Sequence, residues 1–150
     1  MTDALAMEIA LDEARKAAAL GEVPVGAVVV HAGEVVGRGH NLRETANDPL
    51  AHAEILAIGA AAKVLGRWRL FDCTLVVTLE PCPMCAGAIV NARLDRLVYG
   101  AADPRAGAAG TVMDIVRDGR LNHRAEVIGG VRATEAAELL KAFFAARRRC

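Results

Sequence analysis

Aromatic residues are scarce in this chain: three Phe, one Trp and one Tyr among 150 residues. A core built on stacked rings is therefore excluded, and Ala, Val, Leu and Ile must supply the packing. Long apolar runs are missing as well. None approaches the roughly 18 residues that a membrane-spanning helix needs, so no membrane segment is expected. The opening stretch MTDALAMEIALDEARKAAAL lacks a basic start and is interrupted by Glu8, Asp12 and Glu13, so it is not expected to act as a secretory signal. Net charge is also absent, because 18 Lys and Arg balance 18 Asp and Glu. There are no repeats and no linker-like segment, and a chain of this length suits one α/β domain over 1–150 with its own core.

The neutral total hides an asymmetry. Residues 1–62 carry 4 Lys/Arg and 9 Asp/Glu, whereas residues 63–150 carry 14 and 9, so the second half can present a basic surface. Four cysteines without a secretory signal point to a reducing cytoplasm, where clustered cysteines bind metal or act in catalysis more often than they form disulfides.

Periodicity and punctuation predict the elements. Residues 3–20 read as an amphipathic helix with Asp3 near its cap and Gly21 past its end. VGAVVVH (25–31) and EVVGRGH (34–40) read as a hairpin whose first strand is central. A polar loop leads to Asp48-Pro49, read as the start of a helix that carries HAEILAIGAAAKVL and stops at Gly66. TLVVTL (74–79) and RLVYGA (96–101) read as buried strands, with PCPMCAGAIVNA between them as a turn leading into a helix. A small-residue loop spans 102–110, a short helix is expected over 111–117, and 125–131 suits a strand or a turn. TEAAELLKAFFAARRR closes the chain as a helix capped by Thr134.

Two short motifs carry chemistry. In PCPMC (81–85), Cys82 and Cys85 stand at i and i+3 at a helix start, so both thiolates reach one ion, favoured by the positive end of the helix. HAE (52–54) adds the His52 imidazole from a second helix start. Two sulfurs and one nitrogen suit zinc and leave a fourth position for water, whereas a structural zinc site fills all four. Glu54 lies two residues from His52 and points away from it along a helix, so it is no co-ligand. At a first turn, however, it can border the same site. A carboxylate beside an activated water takes its proton, which predicts hydrolytic chemistry with one Zn²⁺ per subunit and Glu54 as proton shuttle.

The H-x-E and P-C-x-x-C pair resembles the signature of the zinc-dependent cytidine/deoxycytidylate deaminase superfamily. The resemblance implies a cytidine-deaminase-like three-layer α/β/α sandwich around a five-stranded mixed sheet. Within that superfamily, EVPVGAVVV (22–30), NDPLAHAEI (47–55), TLEPCPMCAGA (78–88), DPRAGAAGTVMD (103–114), LNHR (121–124) and FFAARRR (143–149) are similar to the bacterial tRNA-specific adenosine deaminases. GAAG, NHR and the FF-arginine tail are the more specific of these. The chain departs from that pattern in the 103–110 loop, where an arginine stands in a segment expected to carry lysine.

The resemblance implies hydrolysis of a cyclic amidine C–N bond: adenosine at the wobble position of a tRNA anticodon loop becomes inosine, an arginine tRNA being the first substrate expected. It also implies a homodimer. Carried over residue by residue, it makes Asn41 a partner of the flipped nucleoside and brings the Ala53 backbone to the base edge. Asp103 is then expected beside the anticodon nucleotides, Asn122 and His123 near the RNA, Phe144 against a splayed base, and Arg147 and Arg148, with Arg149, on phosphate. Cys73 reads as a core residue, Cys150 as an exposed thiol, and His31 and His40 as structural. Glu80, just before Pro81, is expected to orient the cysteine turn.

Overall fold

The structure, a computed structural model, describes residues 1–148, and of Arg148 the backbone alone. The expectations for Arg149 and Cys150 lie outside the described residues, as does that for the Arg148 side chain.

Helix α1 (Asp3–Ala19) is capped by Thr2, whose hydroxyl accepts the Leu5 N–H, with Asp3 next to the cap as expected. Its buried stripe of Ala6, Met7, Ala10, Leu11, Ala14 and Ala17 has helical spacing, and small residues let it lie close to a sheet. The hairpin strands β1 (Gly26–His31) and β2 (Glu34–His40) pair antiparallel as expected, and β1 is central because it also pairs antiparallel with β3 (Cys73–Leu79). Strands β4 (Arg96–Ala101) and β5 (Glu126–Ile128) continue parallel to β3, giving the order β2-β1-β3-β4-β5. The sheet is thus five-stranded and mixed.

Alternation along the strands serves two cores. Val28, Val76 and Val98 face α1 and α4 (Ala133–Arg148), while Ala27, Val29, Leu75, Val77 and Leu97 face α2 (Ala53–Leu65) and α3 (Pro83–Asn91). Helices on both faces of the sheet make the expected three-layer sandwich. Among the described residues, no helix is long and apolar enough to cross a membrane.

Three local expectations are corrected. Helix α2 starts at Ala53, not at Asp48-Pro49. The Asp48 carboxylate accepts the Leu50 N–H as an N-cap would, but the Ala51 carbonyl is taken by the Leu42 N–H from across the loop, so the chain turns instead of continuing as a helix. Residues 111–117 are not helical. Gly110 N–H donates to the Met113 carbonyl and Ile115 N–H to that of Ala108, which closes a hairpin-like turn around an Ala109–Asp114 bridge. Finally, α4 begins at Ala133, so Thr134 lies inside it. The chain enters through Arg132 at φ 51°, and the Arg132 carbonyl accepts the Ala136 N–H.

Candidate active site and metal centre

The C-terminal ends of the parallel strands β3 and β4 open on the same side of the sheet, where open α/β sheets bind ligands. Two helices start there. His52 is the N-cap residue of α2 and Cys82 that of α3, both in extended conformation, with Pro83 at the first position of α3 and Cys85 in its first turn. Neither side chain makes a capping hydrogen bond to the backbone of its helix. Both turn instead toward each other.

His52 Nδ1 lies 3.6 Å from Cys82 Sγ and 3.5 Å from Cys85 Sγ. The three donor atoms all fall within 4.8 Å of one another. Bond lengths of about 2.3 Å to sulfur and 2.0–2.1 Å to nitrogen at tetrahedral angles place such atoms roughly 3.6 Å apart. The donor set therefore fits zinc in both chemistry and spacing, with three protein ligands. As protonated groups the same atoms share hydrogens. The hydrogen bond with Cys85, helped by His52, pulls the Cys82 thiol down to about 4 against the effect of burial. The bond to Cys82, together with burial, pushes Cys85 far above the ordinary thiol range.

Glu54 is 4% exposed in the first turn of α2. Burial raises its carboxyl to about 7, opposed by its own backbone N–H and by His52. A carboxyl raised by burial beside such a donor set is suited to general acid–base work. It borders a cavity of 350 Å³ together with Val23, Val25, Asn41, Arg43, His52, Leu79, Glu80, Cys82, Asp103 and Ala106. That volume is at the small end of ligand sites, the size for one base with its sugar.

Outward, the cavity joins a groove of 960 Å³ through Val23, Arg43, Leu79, Asp103 and Ala106, which line both. The far side of the groove is α4, with Leu140, Phe144 and Arg147. Arg43 and Arg105 line it without an ion-pair partner among the described residues, a setting that suits anionic ligands.

The structure thus brings His52, Glu54, Cys82, Asn41 and Asp103 to one cavity, with Cys85 buried behind it and Phe144 and Arg147 on the adjoining groove. Asn41 donates to the Val23 carbonyl at 3.3 Å and accepts the Arg43 N–H at 3.1 Å, holding the cavity wall. Asp103 Oδ1 accepts the N–H groups of Arg105 and Ala106 and so shapes its own loop. Phe144 is 43% exposed and meets the half-buried Phe143 edge to face at 5.4 Å; neither ring belongs to a core cluster. The Arg147 guanidinium lies over Phe143 and donates to the Gly21 carbonyl, bracing the α1–β1 turn.

Other expected residues stand elsewhere. Ala53 has a buried side chain and does not line the cavity; its carbonyl faces Gly39 of β2. Asn122 and His123 line neither the cavity nor the groove, and the His123 ring bonds the Leu94 carbonyl at 2.6 Å, anchoring the loop before β5. Cys73 is buried, His40 bonds Glu13 at 3.0 Å, and His31 lies against the Asp72 carbonyl at 3.4 Å, all structural settings. Val25 and Leu79 give no sign in sequence of lining a cavity, because they read as strand residues. Arg43 and Glu22 carry no sequence signal of a place at the site either. Glu22 is buried and accepts the Glu44 and Thr45 N–H groups, tying together the two turns that carry Val23 and Arg43.

A mixed-sheet sandwich that sets a His-Cys-Cys donor trio beside a buried carboxyl has the arrangement of a hydrolytic deaminase. The MafB19-like deaminase family model matches residues 1–148, and the chain belongs to that family. It is 54% identical to a tRNA-specific adenosine deaminase of Bacillus subtilis (strain 168) over 95% of this chain and 88% of that protein. A solved structure from work on A-to-I editing by tRNA:A34 deaminases at the wobble position superposes with a TM-score of 0.87 and 46% identity, covering 90% of this chain and 98% of the other. A guanine deaminase structure from Nitrosomonas europaea follows at TM-score 0.81 and 28% identity, covering 95% and 84%.

Proposed function

We propose that this chain is a zinc-dependent deaminase that converts adenosine to inosine at the wobble position of a tRNA anticodon. The 54% identity to a tRNA-specific adenosine deaminase, spread over nearly the whole of both proteins, is the observation that carries the substrate. His52, Cys82 and Cys85 would hold the zinc ion, which supplies a Lewis acid that makes hydroxide available at neutral pH. Glu54 takes the proton of the attacking water and delivers it to the ring nitrogen N1 as oxygen bonds to C6. It then passes the second proton of that water to the exocyclic amine, which leaves as ammonia, so one water is consumed for each inosine formed. Asn41 and Asp103 line the nucleoside's cavity, and Phe144 and Arg147 the groove for neighbouring nucleotides. A base in an anticodon loop is already single-stranded, so extruding it costs little.

The family resemblance further supports a cytoplasmic homodimer, with Leu50, Val112 and Met113 among the large apolar side chains left exposed on one subunit. The test is inosine formation at the wobble position of an arginine tRNA transcript with an ACG anticodon, using zinc-loaded protein and Glu54→Ala as the blank. Inosine in the tRNA, lost in the variant, supports the reading. Ammonia from free adenosine, cytidine or guanine with the tRNA untouched would move the chain to the free-base enzymes.

A further inference from the structure

Glu80 is a second buried carboxylate at the cavity, 2% exposed, and its partners give it a task other than that of Glu54. One oxygen accepts the Asp103 N–H at 3.1 Å and the Thr111 hydroxyl. The other accepts the N–H groups of Ala109 and Thr111 at 3.0 and 3.1 Å. A single side chain thereby closes both ends of the 103–111 loop. Every other hydrogen bond of residues 102–107 stays within residues 102–113, so at Asp103 Glu80 alone ties this stretch to the rest of the fold, among the described residues. Gly107 fits against the clamp only because it lacks a side chain: a Cβ there would stand 2.5 Å from the Glu80 carboxylate and 2.6 Å from the Asp103 carbonyl.

We propose that Glu80 is a positioning residue for substrate selection: by clamping the 103–111 loop it fixes the wall that Asp103 and Ala106 present where cavity and groove meet. This role rests on the tRNA reading above, since that wall separates the pocket for one nucleoside from the groove for its neighbours. The position of the expected cysteine-turn contact is different: the carboxylate reaches across to the loop, and the turn itself is held by the Pro81 carbonyl accepting the Ala108 N–H at 2.8 Å.

The experiment compares wild type, Glu80→Gln, Gly107→Ala and Thr111→Val as zinc-loaded proteins on an anticodon stem-loop RNA. Loss of a hydrogen bond to the ionised carboxylate should raise KM by about tenfold in Glu80→Gln and roughly threefold in Thr111→Val, with kcat falling less than KM rises. Zinc content should stay at one per chain, and amide hydrogen exchange over 103–113 should speed up in all three variants. Unchanged exchange in that segment overturns the clamp whatever the substrate. A fall in kcat at constant KM overturns the selective role. Should Glu80→Gln not fold, Thr111→Val decides, as it removes one hydroxyl donor only. A wild type that binds no RNA but shows faster loop exchange in the variants would sink the tRNA reading and leave the clamp standing.

Discussion

Replacing Gly39 by alanine should disable the site from a strand that carries none of its residues. A Cβ at Gly39 would lie 2.4 Å from the Ala53 carbonyl and 2.9 Å from the Ala57 N, both backbone atoms of α2. Ordinary C···O contacts are about 3.3 Å or longer, so the first turn of α2 must retreat by roughly 1 Å. That turn holds Glu54 and is capped by His52. Overpacking of this kind costs about 1–3 kcal/mol, and Tm should fall by several degrees. Because a 1 Å misplacement of catalytic groups costs on the order of 100-fold, kcat/KM should drop by about that factor, and zinc affinity should fall with it. Gly37→Ala is the matched control. Its Cβ would meet the Ala57 carbonyl at 2.3 Å and the Ala61 N at 2.8 Å, one turn further from the site. It should lose comparable stability, but less than about tenfold in kcat/KM, since its clashes fall at Ala57 and Ala61 and leave the first turn with Glu54 in place. Equal losses of activity in the two variants, or wild-type activity in Gly39→Ala, would refute the reasoning.

Glu54→Gln should keep its metal, measured by atomic absorption, and lose about 10²–10⁴-fold in kcat, as for removal of a general acid–base group. Stripping metal with a chelator should abolish deamination and lower Tm, with zinc restoring both; full activity in metal-free protein would rule out the His52–Cys82–Cys85 centre. The Glu22 carboxyl is held below its ordinary value of 4.5 because the Thr45 and Glu44 donors outweigh the effect of burial. A folded value below the unfolded one contributes stability above about pH 4.5, which is lost as pH falls through the folded value. Glu22→Gln should therefore cost about 1.5–3 kcal/mol at pH 7 in urea titrations and show a shallower acid slope than wild type. An unchanged acid slope would contradict that assignment.

The strands and the clustering of Cys82 and Cys85 with His52 were legible in the sequence because each rests on a local pattern: a run of β-branched residues, or cysteines three apart behind a proline. The start of α2 was not. Asp48-Pro49 satisfies the local rules for a helix start, and only the pairing of Leu42 with Ala51 from across the loop overrides them. The same limit hid the glycines of β2. GRG reads as a weak strand, and its spacing becomes meaningful only when β2 is known to lie under α2, with Gly37 and Gly39 facing successive turns. Phe144, expected against a splayed base, packs edge to face on Phe143 and lines the groove, a placement that depends on how α4 crosses the sheet and not on its local sequence. Asn122 and His123 have a motif but no place at the cavity, since His123 is occupied by the Leu94 carbonyl.

Donor count separates the roles of the acids around the cavity. Glu54, Glu80 and Glu22 are all buried, so desolvation raises each of them, and what differs is what points at the carboxylate. Four donors converge on Glu80, from Asp103, Ala109 and twice from Thr111, and hold it ionised below the ordinary range despite burial. A carboxylate so engaged has no lone pair to lend to a reaction and acts as a strut. Glu54, with its own N–H and the Cys85 side chain as partners, is left by burial at about 7, where a proton is held weakly enough to be passed on. Identical side chains are thereby suited to different tasks at one cavity, Glu80 to a strut and Glu54 to the proton carrier proposed above. Neighbouring N–H groups assign those roles, and the sequence around each glutamate does not reveal them, because Glu80 is served from a loop that begins 23 residues away.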